Sequence, residues 1–241
     1  MFITILNRSR ILSILIIAIF FLLLALSLGI SITDIINSNL SLQLLLSDLA
    51  ASFLRVTIIS LVAWACGILG GYLLHNSIGL NSLILPLINF IRHISPFSWL
   101  PFAIIWFGLG ELSVSFIMFI TLFFPTLIAA SDQFSNIPQQ FIDEGNVSGA
   151  SALQMLLKVK LPLAMPSLAS LFRIIWALGW TVVIAAEMLG VTKGMGFRLL
   201  DLRYLLRYPE MLIYLLVMGF VGILIDTILK RILTIYIQKY C

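Results

Sequence analysis

The sequence has 241 residues, 61% of hydrophobic type and 10% charged, with a formal net charge of +4. Soluble domains carry about 25% charged residues, so the composition excludes a water-soluble globular fold; at ~20 residues per span, a bilayer protein of this length holds about five to seven spans. So small and dispersed a positive charge does not suit nucleic acid, and the cations are read as facing the headgroups of a lipid bilayer. Arg8 and Arg10 precede an apolar run, Ile11 to Ile30. A signal peptide has the same polarity, and Ala25-Leu26-Ser27 would serve as a cleavage site, but its apolar region is about 7–15 residues and this one approaches ~20. Residues 10–30 are therefore read as a first span with a cytoplasmic N-terminus. Residues 31–50 carry Asp34 and Asp48 but no Lys or Arg, which suits the outer side.

A second span opens from Leu49 to Arg55 and ends near His75, with Gly67, Gly70 and Gly71 as a small-residue face. Leu83, Leu87, Phe90 and Ile94 share one side of a short helix, and Asn89, Arg92 and His93 fall largely elsewhere, so that helix is expected along the inner interface. Pro96 and Pro101 interrupt the start of a third span that ends at Gly108–Glu111. The fourth runs from Ser113 to Ala130.

The stretch from Asn136 to Pro166 is the longest run able to live in water. Asn136 and Gln139 read as a capping pair, with Pro138 tolerated in the first turn. Phe141, Gly145, Gly149, Ala152, Leu153 and Leu156 recur at helical spacing. Each glycine costs roughly 1 kcal/mol against alanine in a helix, so they mark either a turn between two short helices or a close approach of another backbone. A fifth span follows to about Gly190, then a polar stretch from Thr192 to Glu210, and a sixth span from Met211 to Leu229. No repeat or linker divides the chain, which reads as one domain, residues 1–241, with a core from 50 to 235.

Of the 14 Lys and Arg, eight fall on the proposed inner side, among them Lys158, Lys160, Lys230 and Arg231. Arg55, Lys193, Arg198, Arg203 and Arg207 fall outside, and Arg173 lies within the fifth span. This bias puts both termini in the cytoplasm. The four cations in 193–207 either form a positive outer mouth that favours an anion or contact headgroups.

Catalytic patterns are lacking. The sequence has no G-x-x-x-x-G-K-[ST] phosphate loop, no H-E-x-x-H and no G-x-S-x-G elbow. Gly194-Met195-Gly196 lacks the rest of a dinucleotide fingerprint and reads as a turn. Two cysteines, Cys66 and Cys241, make neither a disulfide framework nor a metal cluster. The chain is not read as an enzyme.

Asp143-Glu144-Gly145, three residues, Gly149, and then Lys160-Leu161-Pro162 resemble the EAA motif of ABC-importer permeases. The likeness continues in Arg92-His93-Ile94-Ser95-Pro96, Trp99-Leu100-Pro101, Trp106-Phe107-Gly108-Leu109-Gly110-Glu111, Leu171-Phe172-Arg173 and Ala186-Glu187-Met188-Leu189-Gly190. These look like the nitrate/sulfonate/taurine/bicarbonate branch, and they cover roughly residues 45 to 235. The resemblance implies an all-α, type I importer permease of about six transmembrane helices in a bacterial inner membrane. It implies that residues 136–166 seat on an ATP-binding subunit through Asp143, Glu144, Gly145, Gly149, Leu161 and Pro162. It also implies a dimer of such ATP-binding subunits carrying ATP and Mg, a second permease subunit in a homodimer, a periplasmic solute-binding protein, and a small anionic solute. This chain itself holds no cofactor or metal. One departure is that Asp143-Glu144-Gly145 replaces E-A-A, with a shorter acid and a charge where the motif has a small residue.

Ionisable groups inside spans are expensive in lipid and face a cavity or a partner. Arg173 and Glu187 lie 14 residues apart, about 21 Å at 1.5 Å per residue, with Trp176 and Trp180 between them on the same side. The stripe Arg173–Trp176–Trp180–Glu187 either lines the substrate pathway or combines Trp anchoring with pairing between spans; Asp226 is expected as a structural partner. A secondary transporter, the alternative reading, usually shows an internal repeat with broken spans, and none is visible.

Overall fold

A computed structural model describes residues 19–23, 25–27, 29–36, 38 and 40–240, and among these there is helix but no strand. The order is α1 (Ile32–Ile36), α2 (Leu42–Asn76), α3 (Ile78–His93), a 3-10 turn (Pro96–Trp99), α4 (Leu100–Phe107), α5 (Glu111–Ser135), α6 (Gln139–Val147) and α7 (Ala152–Gln154). A π-helical stretch (Met155–Lys160) then leads into α8 (Leu161–Gly190), followed by α9 (Met195–Tyr204) and α10 (Tyr208–Tyr240).

Among the described residues, four helices are long and apolar enough to cross a bilayer: Leu42–Asn76, Glu111–Ser135, Ala152–Met188 and Tyr208–Ile235. Of the six expected spans, one is largely untested and one is bent. Most of the first, including 11–18, lies outside the described residues. The third is not a straight span: Leu83–His93 and Pro96–Phe107 form a pair bent by 92°, a broken span or re-entrant loop. The cause is local. Ser95 precedes a proline and is extended (φ −55°, ψ 130°), as crowding by the proline ring demands, and the eight residues of α4 rise only about 12 Å.

Two boundaries also differ from the sequence reading. α2 starts at Leu42, not Leu49, because Ser41 caps it by accepting from the Leu44 N–H at 3.4 Å; Asp48, assigned to the outer segment, is thereby inside the helix and buried. Asn136 does not cap α6. It ends α5, and Pro138 occupies the N-cap of α6 without a side-chain bond.

Long-range contacts fix the directions of the long helices. Gly71 of α2 lies against Leu127, Ala130 and Ser131 of α5, while Arg55 meets Glu111, so α2 and α5 run parallel. Trp64 bonds to Leu168 and Ser52 to Glu187, so α8 returns antiparallel to α2. Tyr214 meets Asp48 and Asp226 meets Arg173, so α10 again runs with α2. Val56 and Ala63 of α2, Val114 and Leu122 of α5, and Val183 and Ala186 of α8 are fully buried in the shared core. The bundle thus has two chemically different ends, one carrying the hairpin of α6 and α7, the other carrying α9.

The α2–α5 seam is set by a glycine. A Cβ on Gly71 would lie 2.7 Å from the Leu127 carbonyl oxygen and 2.8 Å from the Ser131 nitrogen, both backbone atoms that cannot swing away. Gly71→Leu is therefore expected to destabilise by at least the about 1–3 kcal/mol of ordinary overpacking. The check is the yield of monodisperse protein on size-exclusion chromatography in detergent, with Leu69→Ala, at an exposed position, as the control.

Candidate functional site

Three places gather the residues that carry chemistry. At one end of the bundle the chain between α5 and α8 folds back on itself. α6 stops at Val147, and Gly149 takes φ +71°, a left-handed backbone that only glycine adopts freely. Ser151 then opens α7 with a capping box: its hydroxyl accepts from the Gln154 N–H, and the Gln154 side chain accepts from the Ser151 N–H. Of the two meanings offered for the paired glycines, the turn holds, while the atoms close to Gly145 belong to side chains and not to another backbone. Gly149 is the turn, and Gly145 is where the second arm approaches, since a Cβ there would meet Met155 Cε at 2.6 Å.

The hairpin is anchored on one side and bare on the other. Ile142 and Leu161 pack against the cluster of Ala130, Phe134, Ile137, Ala164 and Leu168, and buried Lys160 lies over the Tyr72 ring at 5.6 Å. Pro162 lies with Glu144, Gly145 and Lys158 around a cleft of about 530 Å³. Asp143 accepts from the Gln139 amide at 3.0 Å, and both Asp143 and Glu144 are exposed. So are Val147 (90%), Leu153 (65%) and Leu157 (53%). Charged and large apolar side chains thus stand together on the tip, outside the bundle.

At the opposite end, sequence reading missed a buried polar clamp. Asp48, Ser52 and Arg55 sit one turn apart along one face of α2. The Glu187 carboxylate, in the last turn of α8 and fully buried, accepts from Arg55, from the Ser52 hydroxyl at 2.9 Å and from the Gly196 N–H at 2.8 Å. Ser52 in turn accepts from the Met195 N–H at 2.8 Å, and Asp48 from the Gly194 N–H at 3.4 Å. These three amides open α9, and a helix start has unpaired N–H groups and a positive dipole end. The two carboxylates and the hydroxyl satisfy both needs.

Arg55 also forms a two-point bond to Glu111 (2.8 and 2.6 Å), whose side chain is 63% exposed. Asp48 further accepts from Arg198 at 2.9 Å and from the Tyr214 hydroxyl at 3.1 Å. Burial alone would weaken the hold of Arg198 on its proton, but Asp48 outweighs it and raises the guanidinium above its ordinary pKa. Five helices meet here, and the arrangement holds them without a nucleophile or an acid–base pair aimed at open space. It also alters the reading of the basic outer mouth, because Arg198 is neutralised by Asp48 and Asp201, and Arg207 pairs with Glu210. The signal for the clamp was partly present in the sequence, as Asp48, Ser52 and Arg55 at i, i+4 and i+7. Its partners 56 to 166 residues away had no local signature.

The third place is the groove between α8 and α10, about 490 Å³, lined by Trp176, Trp180, Ile184, Leu215, Gly222 and Asp226 among others. Trp176 and Trp180 stack with centroids 5.5 Å apart and planes 10° apart. Their N–H groups donate to Thr57 Oγ1 (3.3 Å) and to the Met218 carbonyl (3.2 Å). Arg173, at the foot of the groove, makes a two-point pair with Asp226 at 2.6 and 2.7 Å. The stripe therefore divides: Trp176 and Trp180 line the groove, Arg173 reaches it through its pair with Asp226, and Glu187 turns into the clamp.

Residues 63–240 match the model of the family described as binding-protein-dependent transport system inner membrane component. The taurine transport system permease protein TauC of Escherichia coli is 33% identical over 149 residues, 62% of this chain and 54% of that protein. The bicarbonate transport system permease protein CmpB of Synechococcus elongatus is 33% identical over 178 residues, 73% of this chain and 64% of that protein. The chain thus spans less than two thirds of the length of these relatives. A chain of the MetNI methionine ABC transporter in an inward-facing conformation superimposes with a TM-score of 0.72 at 18% identity, covering 82% of this chain and 98% of that one; that likeness speaks to fold alone. The all-helical bundle, the several membrane-crossing helices and a family match over most of its length place this chain in the family of binding-protein-dependent transport system inner membrane components.

Proposed function

We propose that this chain is, as a single unit, the membrane-spanning permease subunit of an ATP-driven importer. Two copies flank the pathway; two ATP-binding subunits, which hold the ATP and Mg, sit on the hairpin end; and a solute-binding protein delivers the cargo to the α9 end. The hairpin end and both termini then face the cytoplasm. The relatives named for taurine and bicarbonate support a small anionic solute.

The observation that carries the reading is the hairpin. Val147, Leu153 and Leu157 stand bare beside Asp143 and Glu144, with Gly149 at the bend. Exposed apolar groups ringed by charge mark an interaction surface. The second arm has no break from α8, since Ala152–Met188 is one helical run, so force on the hairpin reaches Glu187 at the far end directly. Gly145, Leu161 and Pro162 set the angle at which the hairpin leaves the bundle. Between the two ends, Arg173, Trp176 and Trp180 are this subunit's share of the pathway wall, and Glu187 holds its outer rim.

The test is uptake of radiolabelled taurine and bicarbonate into proteoliposomes holding either this chain alone or the complex isolated from its host with its binding protein. Uptake is expected from the complex, and only with ATP. Uptake by the chain alone, driven by an ion gradient, would instead establish a secondary transporter. In the complex, Arg173→Ala is expected to lower uptake by roughly tenfold, the effect of about 1.4 kcal/mol, with assembly unchanged. Full uptake by that variant would remove Arg173 from the pathway.

A further inference from the structure

Below the tryptophan pair, the wall between α8 and α10 changes character. A second cavity, of about 680 Å³, is lined by Arg173, Asp226, Thr227, Lys230, Arg231 and Thr234 among others. It shares Asp226 with the groove above, so the two meet at the Arg173–Asp226 pair. Three cations face one carboxylate, an excess of two positive charges. Asp226 occupies two N–H donors of Arg173. Among the described residues, neither Lys230 nor Arg231 has an ion-pair partner, and both are exposed. The Arg173 and Asp226 side chains are themselves only partly covered, 35% and 38% exposed.

We propose that this pocket is an oxyanion site, for a sulfonate, carboxylate or phosphate group held by Lys230, Arg231 and Arg173, with Asp226 as a built-in competitor for the same guanidinium. Asp226 occupies the Nε–Nη2 edge of the Arg173 guanidinium, so an arriving oxyanion either displaces it from that edge or takes the Nη1 donors with the carboxylate's charge beside it, and on either route Asp226 opposes binding. Lys230 and Arg231 supply the attraction that makes binding favourable. Basic pockets between membrane helices also take lipid headgroups. The chemistry is common to a free anion descending the groove and to an anionic phospholipid. The first source rests on the permease reading; the pocket does not.

The test uses the full chain in phosphatidylcholine nanodiscs. Ethanesulfonate is titrated against tryptophan fluorescence, and in parallel the retention of added phosphatidylglycerol is read by native mass spectrometry. Saturable ethanesulfonate binding in phosphatidylcholine alone identifies a free anion; retention of phosphatidylglycerol without it identifies a headgroup; either supports the site. For whichever probe binds, Lys230→Gln combined with Arg231→Gln is expected to weaken binding by roughly tenfold or more, and Asp226→Asn to tighten it by a similar factor. A purely structural Arg173–Asp226 pair would not produce those opposite signs. The proposal is overturned if neither probe binds, if the double variant binds like wild type, or if Asp226→Asn weakens binding. The double variant alters only exposed side chains, so the test stands even where Asp226→Asn folds poorly. Capture of an ATPase subunit, on which the permease reading depends, is read separately and is unaffected by these outcomes.

Discussion

Arg55→Leu is expected to lower the stability of the folded protein by roughly 3–5 kcal/mol, the range for removing one partner of a buried ion pair. The Glu187 side chain is 0% exposed, and Arg55 is its cation. Without it, only the Ser52 hydroxyl and the Gly196 amide remain to hold a carboxylate in the core. The effects around this guanidinium should be unequal. Glu187→Gln leaves Arg55 bound to Glu111, so it should cost less than Arg55→Leu. Glu111→Gln removes a carboxylate that is mostly in water, and exposed pairs contribute about 0–1 kcal/mol. Arg55→Met combined with Glu187→Met should recover part of the loss, because no charge is then stranded. Melting curves read by size-exclusion chromatography in detergent give the order: Arg55→Leu worst, Glu187→Gln next, Glu111→Gln near wild type. An Arg55→Leu protein as stable as Glu111→Gln would mean that the clamp does not hold this end together.

Gly149→Val should strike function and spare the bundle. The Gly149 backbone sits at φ +71°, and a Cβ added there meets nothing within 4 Å. The penalty is therefore one of backbone geometry, about 1–2 kcal/mol for a left-handed residue, and higher for a β-branched one. The chain can relieve it by reshaping the turn, which moves the tip carrying Asp143, Glu144 and Val147. ATP-driven uptake should fall by roughly tenfold or more, with melting close to wild type. Gly149→Asn is the internal control, since asparagine visits this backbone region readily and should retain most activity. Equal losses for Val and Asn would place the defect in the side chain's contacts, not in the turn.

The contrast between these two sites explains what was legible in the sequence. The hairpin is local: acids, glycines, Ser151 and the Leu161-Pro162 step lie within a short stretch, so spacing narrowed the glycines to a turn or a close approach, and the φ of +71° at Gly149 decides for the turn there. Apolar runs likewise reveal the long helices, because the bilayer sets their length whatever they pack against. Boundaries failed where a polar group turned out to be buried. Asp48 looked like a loop residue because carboxylates seldom enter helices that span lipid, and its release from that rule depends on Arg198 and Tyr214, 150 and 166 residues away. Glu187 was singled out correctly as expensive, yet the sequence left open whether a cavity or a partner resolves it. Arg55 resolves it across 132 residues. The third span was read as interrupted at Pro96 and Pro101, and the chain does bend there by 92° into a broken span or re-entrant loop; only the size of the bend had no signal in composition.

The central claim is that the hairpin end receives an ATP-binding subunit, and affinity capture of the detergent-solubilised protein from its native host tests it most directly. Wild-type chain is compared with Gly149→Arg, which places bulk and charge at the exposed bend. The account predicts that wild type brings down an ATPase subunit and that the variant, folded to the same extent, does not. A well-folded wild-type chain that captures no ATPase, or a Gly149→Arg chain that captures it equally, would contradict the account.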